Sequence, residues 1–387
     1  MSFITTHRCN RRFASRSWRG GLALVCALFV SSGFAQNIEE SAQLLTQADA
    51  VKTSNHDRFI ALLRELQGRG DSLSPQQALY LRYLQGWKHA YDGEYRAAIP
   101  LLRAVIDESE DPTLQFRAGT TIVNVFAIAA QYKDAFTQLS ELLELLPKIT
   151  DGTAREQGLG VAAYLYNQVG EYDLALLYAT RLIDEDWAGR GECNGGQLKL
   201  EALYKSGRLS ATSPDIAAAI EACERIDELA YANQIRTYVA CLYIDEGNYD
   251  QAIKYLTTHY SDVLQTRYPH LIAEYDALLA TAYKGAGVPA MARQYALRTL
   301  QDGVQRQHTA PQVAAYRLLY ELAEARGDFK LALDYQKKYI VANRAYIDDV
   351  SARQIAYEKV KHEILANQLQ ISALNKQNEI LQLEREN

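Results

Sequence analysis

Along most of the chain, apolar residues return every three or four positions in runs separated by short polar breaks, the spacing of amphipathic helices. The breaks share a phrase. It reads Gly-Glu-Tyr-Arg-Ala-Ala from Gly93, Gly-Glu-Tyr-Asp-Leu-Ala from Gly170, Gly-Asn-Tyr-Asp-Gln-Ala from Gly247 and Gly-Asp-Phe-Lys-Leu-Ala from Gly327. Glycine ends a helix cheaply because it tolerates φ > 0. The acidic or amide residue after it is placed to cap the next helix by accepting a backbone N–H. The aromatic residue two after the glycine and the alanine five after it suit a crowded helix–helix contact. Each copy therefore predicts a helical hairpin.

Used as a ruler, the phrase puts turns at Gly93, Ala130, Gly170, Gly207, Gly247, Gly287 and Gly327, at intervals of 37, 40, 37, 40, 40 and 40 residues. A further turn is expected near Thr53. Such regularity marks a solenoid, in which each hairpin buries its face only against its neighbours. The third unit has Ala130 in place of glycine but keeps Tyr132 and Ala135. The fifth is irregular: polar residues 208–213 follow Gly207 before Pro214 and Asp215 restart a helix.

Beyond Ala332 the pattern changes, with no glycine or proline from Lys330 to Asn387. One long helix is predicted. Placing position a at Val350, Tyr357, Ile364, Ile371 and Asn378 puts d at Val360, Asn367, Leu374 and Leu381, a seam for a parallel two-stranded coiled coil. Arg353 weakens its start. The other reading is a helix folded back on the array as a cap, for which the polar Gln368, Gln370, Asn375, Gln377 and Asn378 suit the distal half poorly.

The phrase and its flanks resemble tetratricopeptide repeats over about residues 37–340. Gly86, Gly93, Tyr95 and Ala98 match the repeat in the second unit, and Ala163, Tyr166, Gly170, Tyr172 and Ala175 in the fourth. Ala240, Tyr243, Gly247, Tyr249 and Ala252 match in the sixth, Ala280, Tyr283, Gly287 and Ala292 in the seventh, and Gly327, Phe329 and Ala332 in the eighth. The period exceeds the family's usual 34 or so. The resemblance implies an all-α, right-handed superhelical solenoid of about eight hairpins at residues 36–340, followed by a coiled-coil helix at 341–387. A tetratricopeptide array running into such a helix is similar to the sensory region of membrane signalling proteins, GGDEF-type diguanylate cyclases and some histidine kinases. In those relatives a membrane helix and a catalytic domain follow. No Gly-Gly-Asp/Glu-Glu-Phe motif occurs here, so no cyclase activity is assigned to these residues. Ending inside a heptad at Asn387 is what a chain that continues would show.

Residues 1–35 read as an export signal. Arg8, Arg11, Arg12, Arg16 and Arg19 precede an apolar stretch from Gly21 to Val30, and Gly33-Phe34-Ala35 offers a cleavage site. An uncleaved anchor is the alternative, although the apolar run is short for a span. Periplasmic location is the expectation, with membrane attachment only if a spanning helix follows residue 387. Removing residues 1–35 takes away five arginines and no acid, moving the formal charge from −6 to −11. That balance disfavours nucleic-acid partners. Cys193, Cys223 and Cys241 remain. Buried unpaired thiols are expected, with Cys223 and Cys241, on consecutive helices, as the pair placed to meet.

Little points to catalysis. His259 and His270 match no common ligand spacing. The glycine-rich Gly191–Gly196 lacks the lysine of a phosphate loop and is expected to be an inter-repeat loop. No cofactor or metal is assigned, and the reading is non-enzymatic. The resemblance instead directs attention to the concave face lined by the first helix of each hairpin. Counted back from the turns, it holds Tyr83 and Trp87, then Arg117, Thr120 and Asn124, then Gln157, Tyr164 and Asn167. Gln197, Glu201, Gln234, Thr237, Arg317 and Glu321 continue it. Amide, aromatic and charged groups together suit an extended peptide or a protein segment, with Arg117 and Asn124 placed to grip a carboxylate. Three arrangements stay open: a free-standing binding module dimerising through residues 350–387, the input region of a cyclase or kinase, and a periplasmic assembly scaffold.

Overall fold

The computed structural model describes residues 37–52, 55–185, 190–301 and 309–386. The export signal and Thr53 lie outside them. Among the described residues there is no strand, and no helix is long and apolar enough to cross a membrane. The chain is an all-α, tetratricopeptide-like solenoid with a long C-terminal helix, and it divides into two compact units after Ser109.

The first unit comprises α1 (37–51), α2 (His56–Gly68), α3 (Pro75–Tyr91) and α4 (Tyr95–Glu108). Ser74 and Gln77 form a reciprocal capping box at the start of α3, and Gln77 Nε2 also donates to the Ile38 carbonyl at 2.7 Å. Phe59, Tyr83, Leu84 and Leu102 are completely buried. Gly86 is small because α4 presses on it: a Cβ there would lie 2.8 Å from Leu102 Cγ.

The second unit opens with α5 (Pro112–Ile128), α6 (Tyr132–Leu145), α7 (Gly152–Val169) and α8 (Tyr172–Asp184). It continues through α9 (Arg190–Lys205), α10 (Pro214–Arg225), α11 (Leu229–Asp245) and α12 (Tyr249–Gln265). It closes with α13 (Pro269–Gly285), α14 (Pro289–Gln301), α15 (Ala310–Ala325) and α16 (Phe329–Glu386). The first helices pack in series, α5 on α7, α7 on α9, α9 on α11, α11 on α13 and α13 on α15, and so make one continuous layer.

The turns are built as the glycine ruler requires. Gly170, Gly247, Gly287 and Gly327 have φ of 81°, 76°, 76° and 74°. The next residue's N–H returns to the carbonyl five back: Glu171 to Tyr166, Asn248 to Tyr243, Val288 to Tyr283 and Asp328 to Ala323. That is the Schellman closure. Ala130 takes the same left-handed conformation at φ 57°, so the third turn survives without glycine. The expected side-chain caps are mostly absent. Gln131, Glu171 and Asn248 make none, and only Asp328 accepts from the helix it starts, from Leu331 N at 3.1 Å.

Two expectations fail in the fifth unit. Gly191–Gly196 is no loop but the first turns of α9. Its glycines let neighbouring helices approach: a Cβ on Gly195 would stand 2.9 Å from the Ala179 carbonyl oxygen, and one on Gly196 2.8 Å from Ala219 Cβ. The cysteines are not all free either. Cys193 and Cys223 form a disulfide between α9 and α10, leaving Cys241 as the free thiol.

The last helix is the one long helix expected, and its proximal half follows the other reading by folding back on the array. α16 packs on α15 and then runs on to α6 and α7. Tyr357 and Val360, expected at seam positions a and d, are 8% and 4% exposed within the core of the third and fourth hairpins, and Ile364 packs beside them. The proximal seam is thus filled from inside the chain. The cause is local: α6 packs only lightly on α7, and a 3-10 turn at Leu146–Lys148 separates them. A large aromatic from α16 occupies the resulting groove. The expected boundary at residues 340 and 341 falls inside this continuous helix.

Candidate ligand-binding face

Positions 13, 10 and 6 before each turn residue share one face of a first helix, because those spacings return to the same side at 3.6 residues per turn. In the second unit they assemble a polar belt across α9, α11 and α13. Gln197 Nε2 donates to Tyr238 Oη at 2.7 Å and reaches Glu201 Oε2 at 3.4 Å. Gln234 Nε2 donates to Glu274 Oε2 at 3.0 Å and to Thr237 Oγ1 at 3.3 Å. Glu201 also accepts from Lys205 at 2.6 Å. Tyr204 and Tyr238 stack with ring centroids 5.6 Å apart.

The environment is poorly solvated. Burial, with Glu201 and Glu274 adding to it, raises the Tyr238 hydroxyl well above its ordinary range. Burial likewise raises the Glu274 carboxyl, and Glu201 pushes in the same direction. The Cys241 thiol, beside Tyr204, is pushed up to about 12 by burial.

Tyr164 connects this belt to α16. Its ring keeps 44% of its surface exposed, yet its hydroxyl is raised, first by burial and then by Glu201, while Arg353 works the other way. Tyr268, three first helices further on, also acts on it. Arg353 donates to Gln168 Oε1 at 2.6 Å, pairs with Asp349 at 2.9 Å and lies over the Tyr132 ring at 5.9 Å. Tyr132 donates to Asp349 at 2.5 Å.

The predicted residues divide accordingly. Gln197 meets Glu201 and Gln234 meets Thr237, with Gln197, Glu201 and Thr237 buried rather than surface-lining, while Tyr164 is exposed on α7. Asn167 lies beside them between α7 and α9, donating from Nδ2 to the Leu198 carbonyl at 3.0 Å. Gln157 is half-buried on α7. Thr120 is buried and donates to its own helix, to the Phe116 carbonyl, at 2.9 Å. Arg117 is buried, whereas Asn124 is exposed. Arg317 and Glu321 are joined at 3.0 Å, and Lys284 also donates to Glu321. In the first unit Tyr83 is fully buried rather than surface-lining. Trp87 is half-buried, edge to face with Phe59 at 5.5 Å and stacked on Tyr91 at 5.1 Å.

Cys241, Glu274 and Thr281 were not among the predicted residues. They stand 6, 13 and 6 positions before Gly247 and Gly287, the same register as the others. Arg353 and Asp349 carried no such signal, because only the return of α16 brings them here. Among the described residues no group of three or more His, Cys, Asp or Glu is placed to hold a metal. His259 faces Asp262 at 3.7 Å, and burial lowers its pKa.

No protein-family model matches the chain, and no curated protein does. Solved structures do resemble it. The Rap protein complexed with competence and sporulation factor superposes with a TM-score of 0.57 at 12% identity, over 85% of this chain and 99% of that one. NprR in complex with its cognate peptide NprX gives 0.50 at 14% identity, over 84% of each. A STAND-type signal-transduction ATPase with a tetratricopeptide repeat sensor, from Pyrococcus horikoshii, gives 0.56 at 14% identity, over 82% of this chain and 50% of that one. At such identities the likeness is one of fold.

Proposed function

We propose that the chain is a non-enzymatic binding module that takes an extended peptide or protein segment on the first-helix face of its second unit and passes occupancy to α16. The observation that carries this reading is the 2.6 Å hydrogen bond from Arg353 of α16 to Gln168 of α7, the helix that also bears the face residues Tyr164 and Asn167. A segment lying along the belt changes the surroundings of Tyr164 and with them the seat of α16. Two of the fold neighbours were solved holding a factor or a cognate peptide, which supports the ligand class. The Cys193–Cys223 disulfide supports export to an oxidising compartment, here the periplasm.

In this reading the module is the sensory input of a membrane signalling protein of the cyclase or kinase kind. The undocked end of α16, with Leu365, Leu369, Ile371 and Leu374 all more than half exposed, joins two copies. Two measurements test it together. Sedimentation of the whole chain is expected to show a dimer that becomes a monomer when residues 365–387 are deleted. Hydrogen exchange of residues 346–364 is expected to change when a degenerate decapeptide pool is added. A monomeric whole chain removes the dimer, and unchanged exchange with every pool removes the coupling.

A further inference from the structure

The chemistry of the belt narrows the ligand further. Its amide donors are already committed: Gln197 to Tyr238, Gln234 to Glu274 and Thr237, and Asn167 Nδ2 to the Leu198 carbonyl. Asn167 is 2% exposed and its Oδ1 is buried with no hydrogen-bond partner, while its Nδ2 is held by Leu198, one turn before Glu201 on α9. A buried acceptor left unpaired costs about 1–3 kcal/mol, so a ligand that brings an N–H donor recovers that cost.

Charge and rings point the same way. Glu201, Asp245 and Glu274 all act on the Tyr204, Tyr238 and Cys241 group. Lys205 is paired with Glu201 at 2.6 Å. Arg353 is held by Asp349 and Gln168. Tyrosine rings line this region: Tyr204 and Tyr238 stack at 5.6 Å, and Tyr268 at the start of α13 is 49% exposed. Tyrosine faces beside carboxyl groups form a surface for a positive group.

We infer that the belt between Tyr164 and Glu274 receives a lysine or arginine side chain of the bound segment, with the Glu201 and Glu274 carboxyls and Asn167 Oδ1 as its acceptors. This rests on the peptide-binding reading above and assigns its central subsite.

The test passes a degenerate decapeptide pool over the immobilised whole chain at about 0.15 M salt, where surface charge effects are screened beyond roughly 8 Å, and sequences what is retained. The wild-type chain is expected to enrich peptides with a lysine or arginine over those without. In the E201Q/E274Q double variant, whose helix content is checked by circular dichroism, this preference is expected to fall about tenfold, the loss of one well-placed charged contact. Retention with no basic preference, or a preference the variant keeps, overturns the subsite while leaving peptide binding intact. No retention above a blank surface overturns both.

Discussion

Tyr357 of α16 and Phe136 of α6 stand 221 positions apart in sequence and meet edge to face, ring centroids 5.3 Å apart. Tyr166 closes the other side of the tyrosine ring at 6.0 Å. The polar contacts around this pocket, Lys361 with Glu171 at 3.0 Å and Lys133 with Glu363 at 3.1 Å, involve half-exposed lysines. Such surface pairs are worth under about 1 kcal/mol each. The aromatic insertion therefore holds the helix. Tyr357→Ala is expected to lose about 3 kcal/mol at this seat, seen as faster hydrogen exchange in residues 346–364, while Lys361→Ala is expected to change it little.

Close helix contact at the α5–α7 crossing gives a second prediction. A Cβ on Gly158 would lie 2.3 Å from Phe116 Cζ, and Phe116 is fully buried. Gly158→Ala is expected to destabilise the chain by about 1–3 kcal/mol despite the better helix propensity of alanine, read from the urea midpoint. The same change at Gly68, where nothing lies within 4 Å, is expected to cost nothing.

Much of this architecture was legible in the sequence, because the glycine ruler encodes a backbone conformation and every measured turn keeps it, even at Ala130. The register put Gln197, Gln234 and Thr237 on one side of the first helices, although Gln197 and Thr237 are buried there. What escaped was long-range. A heptad pattern such as Tyr357, Val360 and Ile364 states that a face is apolar and not which surface covers it, so a neighbouring copy and α6 are indistinguishable on paper. Gly195 and Gly196 failed for a related reason: glycine means a loop or a tight helix crossing, and only packing decides. Tyr83 shows the limit of counting from turns, since that register includes positions covered by adjacent side chains.

The disulfide is expected to matter for stability. Cys193 and Cys223 are 30 residues apart, and closing a loop of that size is worth roughly 3.6 kcal/mol on the chain-entropy account. Cys193→Ser, or reduction of the wild type, is expected to lower the melting temperature, and reductant is expected to have no further effect on the variant. The Cys241 thiol, held near 12, is expected to alkylate slowly at pH 8 in the native chain and quickly in urea.

Acid response is expected from Glu185. Burial favours its neutral form, but hydrogen bonds from Arg155 at 2.7 Å and Arg181 at 3.0 Å outweigh this and hold its pKa below the ordinary value. A depressed carboxyl pKa contributes stability that is complete above the unfolded value, near 4.3, and is lost as pH falls through the folded one. Arg155 also donates to the Leu146 and Ile149 carbonyls at 2.9 Å each, tying the α6–α7 connection to α8. Glu185→Gln is expected to cost about 1–2 kcal/mol at pH 7 and little at pH 3, measured by thermal unfolding at each pH. An equal loss at both pH values would show that the carboxylate charge is not what holds Arg155.

The return of α16 also bears on how the second unit folds. An open repeat array is close to one-dimensional: each hairpin depends on its neighbours, and either end frays independently. Here the last helix is bonded to the start of the same unit, Asp349 to Tyr132 across 217 positions. Melting at one end therefore removes a contact from the other, and the unit unfolds as a loop rather than as a string. Contacts of such long sequence separation are slow to form. During synthesis the α6–α7 groove stays uncovered until α16 arrives, and closing it is the step that completes this unit.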